Sequence, residues 1–206
     1  MHQSRKNFIV FNFFSWYIRY ILKKDFSAYV FNPFEVKKQK AVLLLANHFS
    51  WWDGFLMFQL NRLVFKKEFH VLVTEEDYEK HWFLKYLGAF AAEGKGKDVV
   101  ETLLYAGKLL DDPANIVLMF PQGKCYSVYI DSIAFEKGIM QVINASKKEF
   151  QIVFAANLVD HTSRKPGVYT YLSSWEAEEH TSLQLLKSEY NKHYEHSLKK
   201  QSKALV

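Results

Sequence analysis

Asn47, His48, Ser50 and Asp53 are the residues whose types and spacing could do chemistry in this chain. Histidine takes up and returns protons near neutral pH. A carboxylate beside it fixes the tautomer and stabilises the imidazolium, and the pair then acts as a general base. Asp53 follows His48 by five residues, and five residues along one helix rotate a side chain by about 140°. The two can therefore meet only if His48 precedes the helix that carries Asp53. Ser50 to Asp53 reads S-x-x-D, a capping-box-like signal that predicts a helix beginning at Ser50, with His48 in the loop before it and Asp53 folding back. A carboxylate in the first turn is favoured in its ionised form. A histidine after a strand and an aspartate in the next helical turn also occur together by chance.

A second polar group, Phe120-Pro121-Gln122-Gly123, lies downstream and is followed by Lys124 and Cys125. Gln122 can accept and donate hydrogen bonds without supplying charge, which suits a polar neutral acceptor such as a sugar or a glycerol hydroxyl. Gly123 permits close approach of the backbone to a substrate. Cys125 is read as packing or incidental. A third stretch, Glu93-Gly94-Lys95-Gly96-Lys97, offers Lys95 as a point charge for a phosphate, or simply as part of a solvated loop.

The elements that must position these residues follow from the apolar runs. Ala41 to Ala46 and Ile116 to Met119 have no helical period and read as buried strands. Both motifs would leave their carboxyl ends, where open α/β sheets place ligands, so His48 and Gln122 are expected on one rim. Further strands are expected at His70 to Thr74, Phe150 to Ala156 and Gly167 to Leu172, with Gly88 to Ala92 another apolar run. Helices are expected at Gly54 to Leu60 and at Glu79 to Leu87, with Trp82, Phe83 and Tyr86 inward. A capping box at Asp98 to Glu101 opens one to about Leu110, with Val99, Val100, Leu103, Leu104 and Leu110 buried. Others are expected at Ile139 to Ala145 and, from Leu183, Leu186, Tyr190, Tyr194 and Leu198, in the tail after Ser182. Asp160 to Pro166 is a loop in which Arg164 and Lys165 are solvated, and His70 and His81 read as structural or exposed. Strands alternating with helices define an α/β fold, a central mostly parallel or mixed sheet flanked by helices.

At 206 residues the chain is expected to be one domain: an N-terminal segment 1–24, a core 41–172 and a C-terminal helix 182–200. Its one cysteine excludes an intramolecular disulfide, and no Cys/His cluster has metal-ligand spacing, so a reducing cytoplasmic setting is expected. The net charge of +5 is concentrated at the ends: residues 1 to 40 hold 8 Lys/Arg against 2 Asp/Glu, and residues 181 to 206 hold 5 against 2. That distribution suits an anionic membrane surface, and no basic strip with interleaved aromatics points to nucleic acid.

Asn7 to Leu22 is dense in Phe, Trp, Tyr and Ile and is followed by Lys23 and Lys24. Its 16 residues would reach about 24 Å as a helix, short of a hydrocarbon core of roughly 30 Å. It lacks the small-residue cleavage site of a secretory signal. Two readings stand: an interfacial helix with Arg19, Lys23 and Lys24 on lipid phosphates, or a core helix covering the sheet.

Asn47-His48-x-Ser50-x-x-Asp53 resembles the HX4D motif of the glycerolipid acyltransferase family, which includes the lysophosphatidic acid acyltransferases. Phe120-Pro121-Gln122-Gly123 resembles that family's F-P-E-G, and Phe135-Glu136-Lys137-Gly138 its F-x-x-G segment. The resemblance spans roughly residues 41 to 160. The chain departs from the family at Gln122, at Lys124-Cys125 where T-R is usual, and at Glu93-Gly94-Lys95 where an arginine would hold the acceptor's phosphate. FPQG resembles a bacterial branch that acylates lipids or glycosylated pigments. The resemblance implies a glycerol-3-phosphate acyltransferase-like layered fold, peripheral on the inner face of the cell membrane. It implies transfer of a fatty acyl group from acyl-CoA or acyl carrier protein to a hydroxyl of a lysolipid or similar acceptor in phospholipid biosynthesis. His48 and Asp53 would be the catalytic base pair, and Asn47, Lys95, Phe120, Pro121, Gln122, Gly123 and Lys124 would bind substrate. Oxyanion donors would come from backbone N–H groups near Gly123, and neither a metal, a bound redox cofactor nor an acyl-enzyme is implied. A silent lipid-binding protein on the same fold, or a hydrolase in which His48 activates water, are the alternatives.

Overall fold

A strand with no polar residue must be covered on both faces, and Ala41–Ala46, here β2, is buried at all six positions. It lies at the centre of a seven-stranded sheet in the computed structural model, which describes residues 1–176 and 181–204. The other strands are β1 (Ala28–Phe31), β3 (Glu68–Val73), β4 (Ala89–Ala91), β5 (Asn115–Met119), β6 (Phe150–Asp160) and β7 (Gly167–Trp175). Their order is β1-β7-β6-β2-β5-β3-β4. β6, β2, β5, β3 and β4 run parallel, β7 runs antiparallel to β6, and β1 is parallel to β7. The sheet is thus mixed, with the parallel part carrying both motifs, as the alternation of strands and helices predicts.

Side chains alternate across a strand, and each face of β2 and β5 builds its own core. Val42, Leu44, Ile116 and Leu118 pack under α1 (Phe8–Asp25) and α2 (Trp52–Leu60). On the other face, Leu43, Leu45, Val117 and Met119 meet α4 (Lys97–Leu109), α5 (Gly138–Ala145) and α6 (Leu183–Ala204). The result is a three-layer α/β/α arrangement. α4 and α5 approach closely because Gly107 has no side chain: a Cβ there would lie 2.5 Å from the Val142 carbonyl oxygen. Tyr190 and Tyr194 on α6 are buried, their hydroxyls donating to the carbonyls of Ala155 and Ile130 at 2.8 and 3.3 Å.

α1 packs one face against the sheet and leaves the other exposed. Asn7 caps it, its Oδ1 accepting from Val10 N–H at 3.1 Å. One stripe, with Ile18 and Leu22 buried and Phe11 and Phe14 packed beside them, covers the sheet. Phe8, Ile9, Phe13, Trp16, Tyr17 and Tyr20 face outward. Among the described residues no helix is long and apolar enough to cross a membrane.

Three helix boundaries depart from expectation. The segment after β3 forms α3 (Glu75–Lys80), capped by Thr74, and then a separate 3-10 turn at Leu84–Leu87. Trp82 falls between them and is exposed, its ring set edge-on against Phe14. α4 starts before Asp98, from Gly96 at φ +68°, with no side-chain cap. Its buried stripe is therefore Thr102, Leu103, Ala106 and Gly107, continuing to Leu110, while Val99, Val100 and Leu104 are exposed. Ser50 does not cap α2, which begins at Trp52 with no side-chain cap. His70 is structural: it is buried, and its Nε2 lies 3.3 Å from Asn115 Oδ1, while burial pushes its pKa down.

Candidate active site

Parallel neighbours bring their carboxyl ends to the same rim, and the loops after β2 and β5 interlock there. Asp53, in the first turn of α2, is 2% exposed. A buried carboxylate needs donors. Asp53 Oδ2 lies 3.0 Å from His48 Nδ1 and accepts the N–H groups of Phe49 at 2.6 Å and Ser50 at 2.8 Å. The Ser50 hydroxyl donates to Oδ1 at 3.3 Å. The S-x-x-D signal thus builds a nest for the carboxylate, because Asp53 turns back over the residues before the helix. An acceptor beside Nδ1 puts the proton there and leaves the lone pair on Nε2.

The second motif holds the histidine from the other side. Gln122 is 1% exposed, and its Oε1 accepts the His48 backbone N–H at 2.6 Å. The Phe120 ring stacks on the imidazole at 4.1 Å between centroids, and the His48 carbonyl accepts from Tyr126 N–H at 3.0 Å. Gly123 turns the chain at φ +67°, its N–H donating to the Phe120 carbonyl at 3.1 Å. The Pro121 carbonyl accepts from Glu136 N–H at 2.8 Å, which ties the Phe135-Glu136-Lys137-Gly138 segment to the motif.

The remaining expected contacts are divided. Asn47 is completely buried, and its amide pairs with the backbone of Asn157 in both directions, at 2.9 and 2.7 Å. It extends the β2 and β6 pairing and steadies His48; it does not face substrate. Lys95 and Lys124 are exposed. Neither lines the cavity described next; Lys124 Nζ lies over the Tyr126 ring at 5.3 Å.

His48, Phe120 and Gly123 open onto a cavity of about 470 Å³, within the usual range for small-molecule sites, roughly 300 to 1,000 Å³. Its walls are mostly apolar: Trp51 just before α2, Phe55 and Phe58 from α2, Phe69 and Val71 from β3, and Leu84 and Leu87. Its polar lining includes Thr74, Glu75 and Asp77. Its acidic residues are Glu75 and Asp77, and no lysine or arginine lines it.

Cys125 is the residue that sequence reasoning set aside. Its Sγ lies 3.2 Å from His48 Nε2. Burial, and then the negative charges of Asp53 and Asp77, push the thiol pKa up. The signal was its position, two residues after Gly123 in a loop already assigned to the histidine's rim.

A mixed α/β sheet thus carries a His-Asp pair at the ends of its parallel strands, beside an apolar cavity. Residues 28–156, more than half of the chain, match the family described as Acyltransferase, and the chain belongs to it. The structure resembles the crystal structure of the 1-acyl-sn-glycerophosphate (LPA) acyltransferase PlsC from Thermotoga maritima. The TM-score is 0.66 at 14% identity, over 93% of this chain and 79% of that one, so the two share a fold. No curated protein matches in sequence.

Proposed function

We propose that this acyltransferase moves a fatty acyl group from the thioester of acyl-CoA or acyl carrier protein to a hydroxyl of a lipid-like acceptor at a membrane surface. The observation that carries this reading is the His48 Nδ1 to Asp53 Oδ2 contact of 3.0 Å at the mouth of an apolar cavity. His48 Nε2 takes the proton of the hydroxyl whose oxygen attacks the thioester carbonyl, and the buried carboxylate stabilises the imidazolium. General-base assistance of this kind contributes about 10² to 10⁴-fold. The cavity takes the acyl chain, since its aromatic and aliphatic walls replace water around methylene groups.

The acceptor's head group is neutral or cationic in this reading. Glu75 and Asp77 would repel a phosphate, Lys95 stands outside the cavity, and Gln122 adds no charge. The exposed aromatic stripe of α1, with Arg19, Lys23 and Lys24 on the same helix, lies at headgroup depth on an anionic bilayer. The same placement has the protein peripheral on the inner face of the cell membrane.

Mass spectrometry of total lipid extracts from cells carrying the native protein or His48→Ala at matched expression tests the reaction. The expected result is a species in the native extract one acyl group heavier than a species accumulating in the variant; identical extracts would refute it. Sedimentation with anionic phosphatidylglycerol vesicles tests the surface. Phe13→Glu with Trp16→Glu should abolish binding, and undiminished binding by that variant would remove α1 from the membrane contact.

A further inference from the structure

No lysine or arginine lines the active-site cavity, whereas its neighbour is lined by several. This second cavity, also of about 470 Å³, has Phe58, Phe69 and Leu87 as walls in common with the first. Arg5, Lys6, Arg62, Lys66 and Lys67 line it, against a single carboxylate, Glu68. Lys6 is paired with that carboxylate, Nζ to Oε1 at 2.7 Å, and Lys67 Nζ donates to the Pro113 carbonyl at 2.5 Å. Among the described residues no hydrogen bond or ion pair engages the guanidinium groups of Arg5 and Arg62 or the ammonium of Lys66. The start of α1 adds to this charge: Asn7 and Phe8 line the cavity, and the leading N–H groups of a helix lack intrahelical acceptors and carry partial positive charge.

The chain folds locally to hold these cations. α2 runs into a π-helical turn, Asn61–Phe65, of a kind that recurs at functional sites. The turn ends at Lys66, whose φ of 55° is unfavourable for a residue with a side chain. Asn61 fixes it there. Its carbonyl accepts from Lys66 N–H at 2.6 Å, and its side-chain amide pairs with the Lys67 backbone in both directions, at 2.8 and 3.2 Å. Arg5 N–H donates to the Lys85 carbonyl at 2.8 Å, which anchors the segment before α1 on the 3-10 turn. Apolar side chains stand out beside the cations: Phe8 and Ile9 are 83% and 79% exposed, and Leu63, next to Arg62, is 50% exposed. A soluble phosphate would leave those side chains in water. A phospholipid at a bilayer surface satisfies both, with its phosphate on the cations and its acyl region around the apolar groups.

We propose that this second cavity binds the phosphate of an anionic phospholipid headgroup and seats the enzyme on its membrane, apart from the site that reacts. The inference rests on the membrane-surface part of the reading above and adds a headgroup-selective contact to the α1 stripe. Arg5 and Arg62 hold phosphate oxygens through their planar forks, and Lys66 acts as a point charge. Since Phe58, Phe69 and Leu87 are walls of both cavities, the docked headgroup lies one layer of side chains from the cavity for the acyl chain.

Co-sedimentation of the full chain with vesicles of phosphatidylglycerol mixed into phosphatidylcholine tests this, with the melting temperature as the check on folding. Arg5→Lys with Arg62→Lys keeps every charge and removes only the forks, and vesicle affinity should fall about tenfold or more. Arg5→Ala and Arg62→Ala with Lys66→Asn, which tolerates the left-handed backbone, should lower it by about 10²-fold. Native affinity in the lysine double variant would reduce the cavity to diffuse charge and overturn the proposal while leaving α1 on the membrane. Inorganic phosphate might instead raise the melting temperature of the native chain but not of the double variant, with vesicle binding equal in both; that result would give the cavity to a soluble phosphate and overturn the lipid assignment. Failure of the native chain to sediment with these vesicles would overturn both the proposal and the membrane placement of α1.

Discussion

The two halves of the sheet's carboxyl rim are built on different principles. At the ends of β2 and β5, polar groups pair with one another across the two loops: Asp53 holds His48 and two backbone N–H groups, Gln122 holds the His48 N–H through its Oε1, and Tyr126 holds its carbonyl. At the ends of β3 and β4 the contacts are between exposed groups. Glu75 accepts from Gly94 N–H at 3.0 Å, Glu93 meets the terminal amine of Met1 at 2.8 Å, and Lys95 extends into solvent. Exposed ion pairs are screened and hold little geometry, whereas an unpaired group in the first half would be left buried. A reacting histidine needs the first kind of support. In the proposed reaction the charge of the second half would discriminate among acceptors.

The comparison can be broken at its strongest point first. Asp53→Asn keeps the shape and removes the charge that stabilises the imidazolium. Turnover should fall by about 10² to 10⁴-fold, with KM for the donor little changed, in steady-state assays. A loss under tenfold would mean that the interlocked half does not carry the chemistry.

Gln122→Met retains length and removes the acceptor for the His48 N–H. The buried donor then goes unsatisfied, and chemical denaturation should report a loss of about 1 to 3 kcal/mol. Unchanged stability would show that this loop relaxes and that the interlock is loose.

The smallest effect belongs to the open half. Lys95→Ala should change kcat/KM by less than about twofold, as expected for a solvated charge. A loss of tenfold or more, confined to phosphorylated acceptors, would bring that lysine back to the substrate and make the two halves alike.

Much of the interlocked half was legible in the chain. Apolar runs without helical period announced β2 and β5, and the five-residue separation of His48 and Asp53 required a loop followed by a helix, as observed. The sheet class followed from the alternation of elements. Boundaries were less legible. S-x-x-D at Ser50 and D-x-x-E at Asp98 both read as caps, but α2 and α4 begin at Trp52 and Lys97 without a side-chain cap, and Asp53 instead accepts the N–H groups of Phe49 and Ser50. The aromatic character of α1 was plain, but the pattern alone did not separate its packed stripe from its exposed one.

The sequence by itself determined that the two candidate motifs leave strand ends, because buried strands and tight turns impose local residue requirements that a single pass along the chain can read. Only the tertiary structure decided what surrounds His48: Gln122 on its N–H, Phe120 on its ring, and Cys125 at its free nitrogen, 77 residues further along the chain. It also placed Asn47 in the sheet and Lys95 outside the cavity. The physical reason is register. β2 and β5 pair in parallel from Val42 with Ile116 to Leu45 with Met119, and that ladder, set by side-chain burial on both faces, brings two distant loops to within one hydrogen bond of each other.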